Sequence, residues 1–415
     1  MPHLPHLPRP HHLIGIPRDP RPAARRGGRA ALSALAVLGL AATAACGSGG
    51  AGTGAAPEES ARPGAEVADA LVATYDGGLY VLDGTTLEVV EDIPLEGFNR
   101  VNPAGDDRHV LVSTSSGFRV LDAAGARLTD DEFPAPEPGH VVHHAGRTAL
   151  FSDGTGEVTV FDPADLGEGL PEADKHTTEH PHHGVALVLE NGEMVVTLGD
   201  EEERPGIQVL DAEGVETARS EECPGVHGEA TARGEAVVIG CEDGVLVYSG
   251  GDITKVDSPD DYGRIGNQAG HEDSPYVLGD YKTDPDAELE RPERVSVIDT
   301  ESGELELVDL GTSYSFRSLG RGPEGEGLVL GTDGALHVID MAAGEVTASH
   351  PVVGEWSEPL EWQDPRPTLY VRGDTAYVTE PGEKKVYAVD IATGEVTTEA
   401  ELPEASNELT GLPAA

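Results

Sequence analysis

From about residue 69 onward, short runs in which apolar side chains alternate with small or polar ones recur along the chain. Most end in Asp, and a Gly-containing turn and a second alternating run follow: GGLYVLDGTTLEVV, SGFRVLDAAGARL, GEVTVFDPADL, GIQVLDAEGVETA, GVLVYSGGDITKV, RVSVIDTESGELELV, GALHVIDMAAGEVTA and KKVYAVDIATGEVTT. A period of two marks strands, and two such runs joined by a tight turn mark a hairpin. The anchors are Asp83, Asp122, Asp162, Asp211, Tyr248, Asp299, Asp340 and Asp390, spaced 37 to 51 residues apart. Upstream of most anchors lies another strand, such as RHVLVSTSSG or DTAYVTEPG, and before that a more polar, Gly- or His-rich stretch. Four short antiparallel strands per unit at this period predict an all-β chain folded as a β-propeller. Helical repeats are excluded, because no unit sustains a 3.6-residue apolar period.

The first repeat begins with its second strand, at ALVATYDG, while the tail ASNELTGLPAA follows a complete last repeat. The tail is predicted to supply the missing innermost strand of the first blade and close the ring. Eight anchors predict eight blades. Seven is the alternative if one weak repeat is a decoration, and an open solenoid is the other way of stacking such units. The anchor Asp residues read as turn formers, whose carboxylates accept backbone hydrogen bonds.

The first 45 residues differ from the rest. They carry six Arg and one Asp, then the small, apolar stretch ALSALAVLGLAATAA, then Cys46. A basic region, a short hydrophobic region and small residues before a cut describe an export signal. TAAC at Thr43 to Cys46 has the form of a lipoprotein box with Cys46 as the lipidated new N-terminus; simple secretion is the alternative. The expected organisation is a signal over 1–45, a lipidated Cys46 and flexible tether over 46–68, and one propeller over 69–415. The lipid would anchor a monomer to the outer face of the cytoplasmic membrane.

Charge narrows the partners. The chain has 27 Lys plus Arg against 76 Asp plus Glu, a net charge of -49, which excludes a nucleic-acid ligand that needs a basic footprint. Histidine is concentrated. Of 16 His, four (His3, His6, His11 and His12) would leave with the signal, while His140, His143, His144, His176, His180, His182 and His183 fall within 44 residues. GHVVHHAG, TTEHPHHG, CPGVHGEA and GNQAGHEDSP place His near the innermost strand of four consecutive repeats. Inner strands converge on the axis of a propeller, and neutral imidazoles are zinc ligands, three or four to a site. Aligning HHAG, HHG and HG by their glycines selects His144, His183 and His227 as the metal ligands, with His271, an acidic residue or water completing the set. His143, His180, His182, Glu229 and Asp273 are secondary candidates.

Cys223 and Cys241, 18 residues apart, flank one innermost strand and its partner. In an exported chain cross-strand pairing would bring them within disulfide reach, and a Cys/His zinc site is the competing use. Asp200 and Asp280 occupy equivalent LGD positions in two repeats, each followed by a charged excursion; a loop-starting role fits them better than metal binding. No nucleophile elbow, P-loop or dinucleotide-binding turn is present in the sequence.

TTEHPHHGVA (Thr177 to Ala186), CPGVHGEA (Cys223 to Ala230) and NQAGHED (Asn267 to Asp273), in this blade order, resemble the bacterial zinc metallochaperone AztD family over about Leu71 to the C-terminus. The resemblance implies Zn2+ bound at inner histidines, a disulfide matching Cys223 and Cys241, and direct transfer of zinc to the solute-binding protein of an ABC importer. Members of that family can carry a His-rich segment ahead of the propeller, whereas Ala51 to Ala70 here has no His. A non-enzymatic zinc carrier is therefore expected. The alternatives are a propeller enzyme, lactonase-like or quinoprotein-like, or a protein-binding scaffold without metal.

Overall fold

The computed structural model describes residues 66–413. The signal over 1–45 and the lipidation site Cys46 lie outside the described residues. Eight sheets account for the repeats, each with a run of four antiparallel strands, consecutive along the chain in all but the first. In chain order the inner strands of blades 2 to 8 are Arg100–Pro103, Pro138–His144, Ala186–Val188, His227–Ala232, Gln268–Ala269, Tyr314–Arg321 and Leu369–Arg372. Blade 1 takes its inner strand from the C-terminus: Ser406–Gly411 pairs antiparallel with Leu71–Tyr75, in the register Leu71 to Gly411 and Ala73 to Leu409. The ring is closed, with eight blades rather than seven.

The apolar pattern follows from this stacking. Each blade buries both faces of its second and third strands, so Gly78–Leu82 is apolar and buried at every position. Successive side chains point to opposite faces of a strand. Leu79 and Val81 accordingly pack toward blade 2, and Tyr80 and Leu82 toward blade 8. Eight apolar clusters result, one between each pair of neighbouring blades. The outermost strands, such as Val396–Glu401, have mostly exposed, polar side chains. Val67, within the span expected as a tether, is buried and its N–H donates to Ala124 O at 2.8 Å.

The anchor Asp residues act in turns. Asp83 Oδ1 accepts from Thr86 N at 2.8 Å, Asp211 Oδ1 from Val215 N at 2.8 Å, and Asp390 Oδ1 from Thr393 N at 2.8 Å. Tyr248, the one anchor that is not Asp, instead donates to Glu193 Oε2 of the neighbouring blade at 2.7 Å.

Cys223 and Cys241 are joined by a disulfide and fully buried. The bond ties the turn before the inner strand of blade 5 to the strand beside it. Cys223 N and Val226 N also donate to Pro205 O and Arg204 O of blade 4, at 2.9 and 3.1 Å. Closing a loop of this length restricts the unfolded chain by about 3 kcal/mol. The double variant Cys223→Ser/Cys241→Ser is therefore expected to melt at a clearly lower temperature than the wild type; an unchanged melting curve would contradict this.

Candidate metal centre

His140, His183 and His227 come from three successive blades, and their ligand nitrogens all lie within 4.8 Å of one another. Among the described residues they form the one such His, Cys or carboxylate group. Ring centroids stand 5.1 Å apart for His140 and His183, 5.4 Å for His140 and His227, and 5.0 Å for His183 and His227. Nitrogens about 2.0–2.1 Å from a tetrahedral zinc lie roughly 3.3 Å apart. The His183 and His227 Nε2 atoms are 3.1 Å apart.

Local irregularities aim these rings. His227 opens its strand at a bulge, where the pairing with Ala236–Cys241 slips between His227 and Glu229. Gly228 sits in the bulge at φ +71°, and a Cβ there would meet Gly266 O at 2.6 Å, so only Gly fits. His140 lies in a second bulge, between Pro138 and Val141. His183 precedes the three-residue strand Ala186–Val188, in a segment that Pro181 keeps out of the ladder by lacking an N–H.

Hydrogen bonds set which nitrogens are free. His183 Nδ1 donates to Asp153 Oδ2 at 2.6 Å, and His227 Nδ1 donates to Gly266 O at 2.6 Å. Both acceptors require a proton on Nδ1, leaving the facing Nε2 atoms with lone pairs. Two lone pairs at that separation repel unless a cation lies between them, and an imidazole whose far nitrogen is so held is the usual metal ligand. Gly139 belongs to the same arrangement, because a Cβ there would collide with the Asp153 carboxylate. Burial, followed by the neighbouring His183 ring, pushes His227 down to about 3; burial and the charges of His227 and His183 hold His140 well below its ordinary value. Glu229 Oε2 stands 3.9 Å from His140 Nδ1, and burial pushes its carboxyl up to about 8.

A cleft of about 1020 Å³ is lined by Glu137, Asp153, Asp200, Glu203, Glu221 and Glu242 among others, with Arg204 as its basic residue and His182 and His183 in its wall. Of the three clustered rings His183, whose side chain is 42% exposed against 21% for His140, is the one that lines the cleft. The charged excursion from Asp200 to Arg204 lines this cleft.

The other expected ligands go elsewhere. His144 ends the strand Pro138–His144, four residues or about 13 Å beyond His140 at 3.3 Å per residue. Its Nε2 is paired with Glu235 Oε1 at 2.8 Å. In a four-stranded up-and-down blade the turn after the inner strand lies on the face opposite the passage from one blade to the next. His144 and His271 both sit at such turns, so the alignment of His144 with His183 does not hold in the fold and His271 does not complete the set. His271 Nδ1 accepts from Asp273 N at 3.2 Å, with Asp273 exposed. His143 is exposed beside His144, and His180 is exposed in the passage to blade 4. His182 is buried; its Nδ1 donates to His180 O at 3.0 Å and its Nε2 pairs with Thr197 Oγ1 at 3.0 Å. Of the secondary candidates, Glu229 alone lies beside the cluster.

The glycines misled because they do different work. Gly228 forms a bulge, Gly184 packs against Phe151 and Thr197, and Gly146 forms a turn. The shared signal stands upstream, in Pro138-Gly139-His140, Pro181-His182-His183 and Pro224-Gly225-Val226-His227. In each, the His follows Pro by two or three residues near the entry to the inner strand: Pro138 already pairs with Ser152, His227 opens its strand, and His183 stands three residues before Ala186, where pairing begins.

No protein-family model matches the chain. The zinc chaperone AztD of Citrobacter koseri is 28% identical over 289 residues, a match covering 67% of this chain and 66%, just under two thirds, of the relative. Two crystal structures of Citrobacter koseri AztD, one described as apo, superpose with a TM-score of 0.72 at 22% identity, covering 84% of this chain and 99% and 100% of theirs. A dihydro-heme d1 dehydrogenase, NirN, shares the fold more distantly, with a TM-score of 0.56 at 12% identity over 86% of this chain and 77% of its own. The chain is thus a strong match to Citrobacter AztD in sequence and in fold.

Proposed function

We propose that this chain is an extracytoplasmic, non-catalytic zinc carrier that holds Zn2+ on His140, His183 and His227 and passes it to the solute-binding protein of a zinc ABC importer. The observation that carries this reading is the convergence of three imidazoles, two with their far nitrogens held by acceptors and one, His183, lining an acidic cleft. Three neutral protein ligands leave a fourth position of a tetrahedral zinc open to water or to an incoming ligand. A lining rich in carboxylates raises the local cation concentration and attracts a basic face of the acceptor. Docking would then place an acceptor ligand at the open position, with His183, the exposed ring, released first. The export signal and the lipid on Cys46 would tether the carrier beside the importer; secretion or a periplasmic location serves the same chemistry without the anchor. Among the described residues no helix is long and apolar enough to cross a membrane.

The test is kinetic. Zinc-loaded protein is mixed with the metal-free solute-binding protein from the same organism, and separately with a small chelator at matched affinity. Transfer to the protein acceptor should outrun the zinc-release rate measured with the chelator. Transfer no faster than spontaneous release would reject the carrier mechanism.

A further inference from the structure

We propose that Asp280, in blade 6, is a positioning residue for the metal ligand His227, acting through the peptide group between Gly266 and Asn267. This rests on the reading of His227 as a zinc ligand. Asp280 directly follows the strand Tyr276–Gly279 and is 1% exposed. Its Oδ1 accepts from Gly266 N at 2.6 Å and from Asn267 N at 3.0 Å, and its Oδ2 accepts from Asn267 Nδ2 at 3.2 Å. Asp280 N in turn donates to Asn267 O at 3.0 Å. The loop is gripped from both sides.

The Asn267 N–H and the Gly266 C=O are the two ends of one peptide group. The N–H end points at the Asp280 carboxylate, and the C=O end accepts His227 Nδ1–H at 2.6 Å. A carboxylate on the N–H end polarises the amide and makes its oxygen a stronger acceptor, since hydrogen bonds in a chain reinforce one another where the dielectric is low. His183 receives a carboxylate directly, from Asp153; His227 receives one through an intervening amide. In both cases the result is a fixed tautomer and a more basic Nε2.

Asp200 sits at the same LGD position of blade 4, yet its Oδ1 accepts from Glu202 N and Glu203 N of its own loop at 2.7 and 2.9 Å. The motif is shared, and the contact with a metal ligand's support belongs to Asp280.

The experiment is a zinc competition titration of wild type, Asp280→Ala, Asp280→Asn, His227→Ala and the doubles Asp280→Ala/His227→Ala and Asp280→Asn/His227→Ala. It is read together with the ¹⁵N shifts of the His227 ring. Loss of an outer partner of a metal-bound His typically costs about 10- to 100-fold in affinity, and Asp280→Ala should fall in that range. Asp280→Asn keeps a neutral oxygen for the backbone N–H groups and should lose less, about 10-fold, at the weak end of the same range. Neither change should weaken binding further once His227 is Ala, and both should shift the His227 ring toward a mixed tautomer. Wild-type affinity in both single variants, or losses that add fully to that of His227→Ala, would show Asp280 to be a loop cap only and overturn the proposal. Should Asp280→Ala fail to fold, Asp280→Asn and its double decide by the same criteria. A wild type that binds zinc but does not transfer it removes the carrier function and leaves this relay standing; a wild type that binds no zinc removes both.

Discussion

Replacing His140, His183 or His227 by Ala is expected to lower zinc affinity by at least about 100-fold, because loss of an outer partner alone reaches that range and a ligand contributes more. His144→Ala and His271→Ala, on the opposite face, should stay close to wild type. Equilibrium dialysis of the five variants checks this. A large loss on removing His144 or His271, or none on removing His140, would overturn the assignment. The metal-free protein offers a second readout. His227 is pushed down to about 3 and His140 lies well below its ordinary value, both chiefly through burial. Below about pH 6.5 the unfolded chain binds protons at these rings that the folded chain refuses, so stability contributed here falls as pH drops from about 6.5 toward the folded values. Each such ring contributes a slope of at most about 1.4 kcal/mol per pH unit. Denaturant unfolding of metal-free wild type and His227→Ala between pH 7 and 4.5 should show the variant losing stability less steeply; parallel lines would mean that His227 titrates normally in the fold.

Truncation before Leu409 is expected to open the first blade. It removes the pairing of Leu71, Val72 and Ala73 with Gly411, Thr410 and Leu409, and the buried side chains of Leu409 and Leu412. Burying a leucine contributes about 1.5–3 kcal/mol, so the two together account for about 3–6 kcal/mol. A total stability of about 5–15 kcal/mol leaves little after that loss. Loss of a single cooperative melting transition, with binding of a hydrophobic dye, is the expected outcome, and a synthetic peptide spanning residues 406–413 should restore part of the transition. A truncated chain that melts as sharply and as high as the full one would show that the ring does not depend on this strand.

The eightfold repeat, its strands and the closing tail were legible in the sequence for one reason: each repeat solves the same local problem. A strand buried on both faces must be apolar throughout, and a tight turn after it favours a carboxylate that can accept backbone N–H groups, so Leu79 to Asp83 and Tyr387 to Asp390 carry their structure in their own composition. The unpaired second strand at Leu71 likewise announced a missing partner, and the tail was the segment left to provide it. Which histidines converge was of another kind. The histidine clusters pointed to the blades that supply them, and His183 and His227 do come together, but whether His140 or His144 joins them depends on which end of one strand meets the neighbouring blades there. Four residues along a strand exchange one mouth of the ring for the other while leaving the local pattern unchanged. The glycines that aligned the clusters answer three different steric demands, visible only once Gly228 meets Gly266 and Gly184 meets Phe151. The supports of the site were further out of reach, because Asp153 lies 30 residues from His183 and Gly266 lies 39 from His227. Sequence determined the repeating strand and therefore the ring. The tertiary structure decided the site, because its geometry is set by bulges and contacts between blades, where residues distant in the chain fix one another's direction.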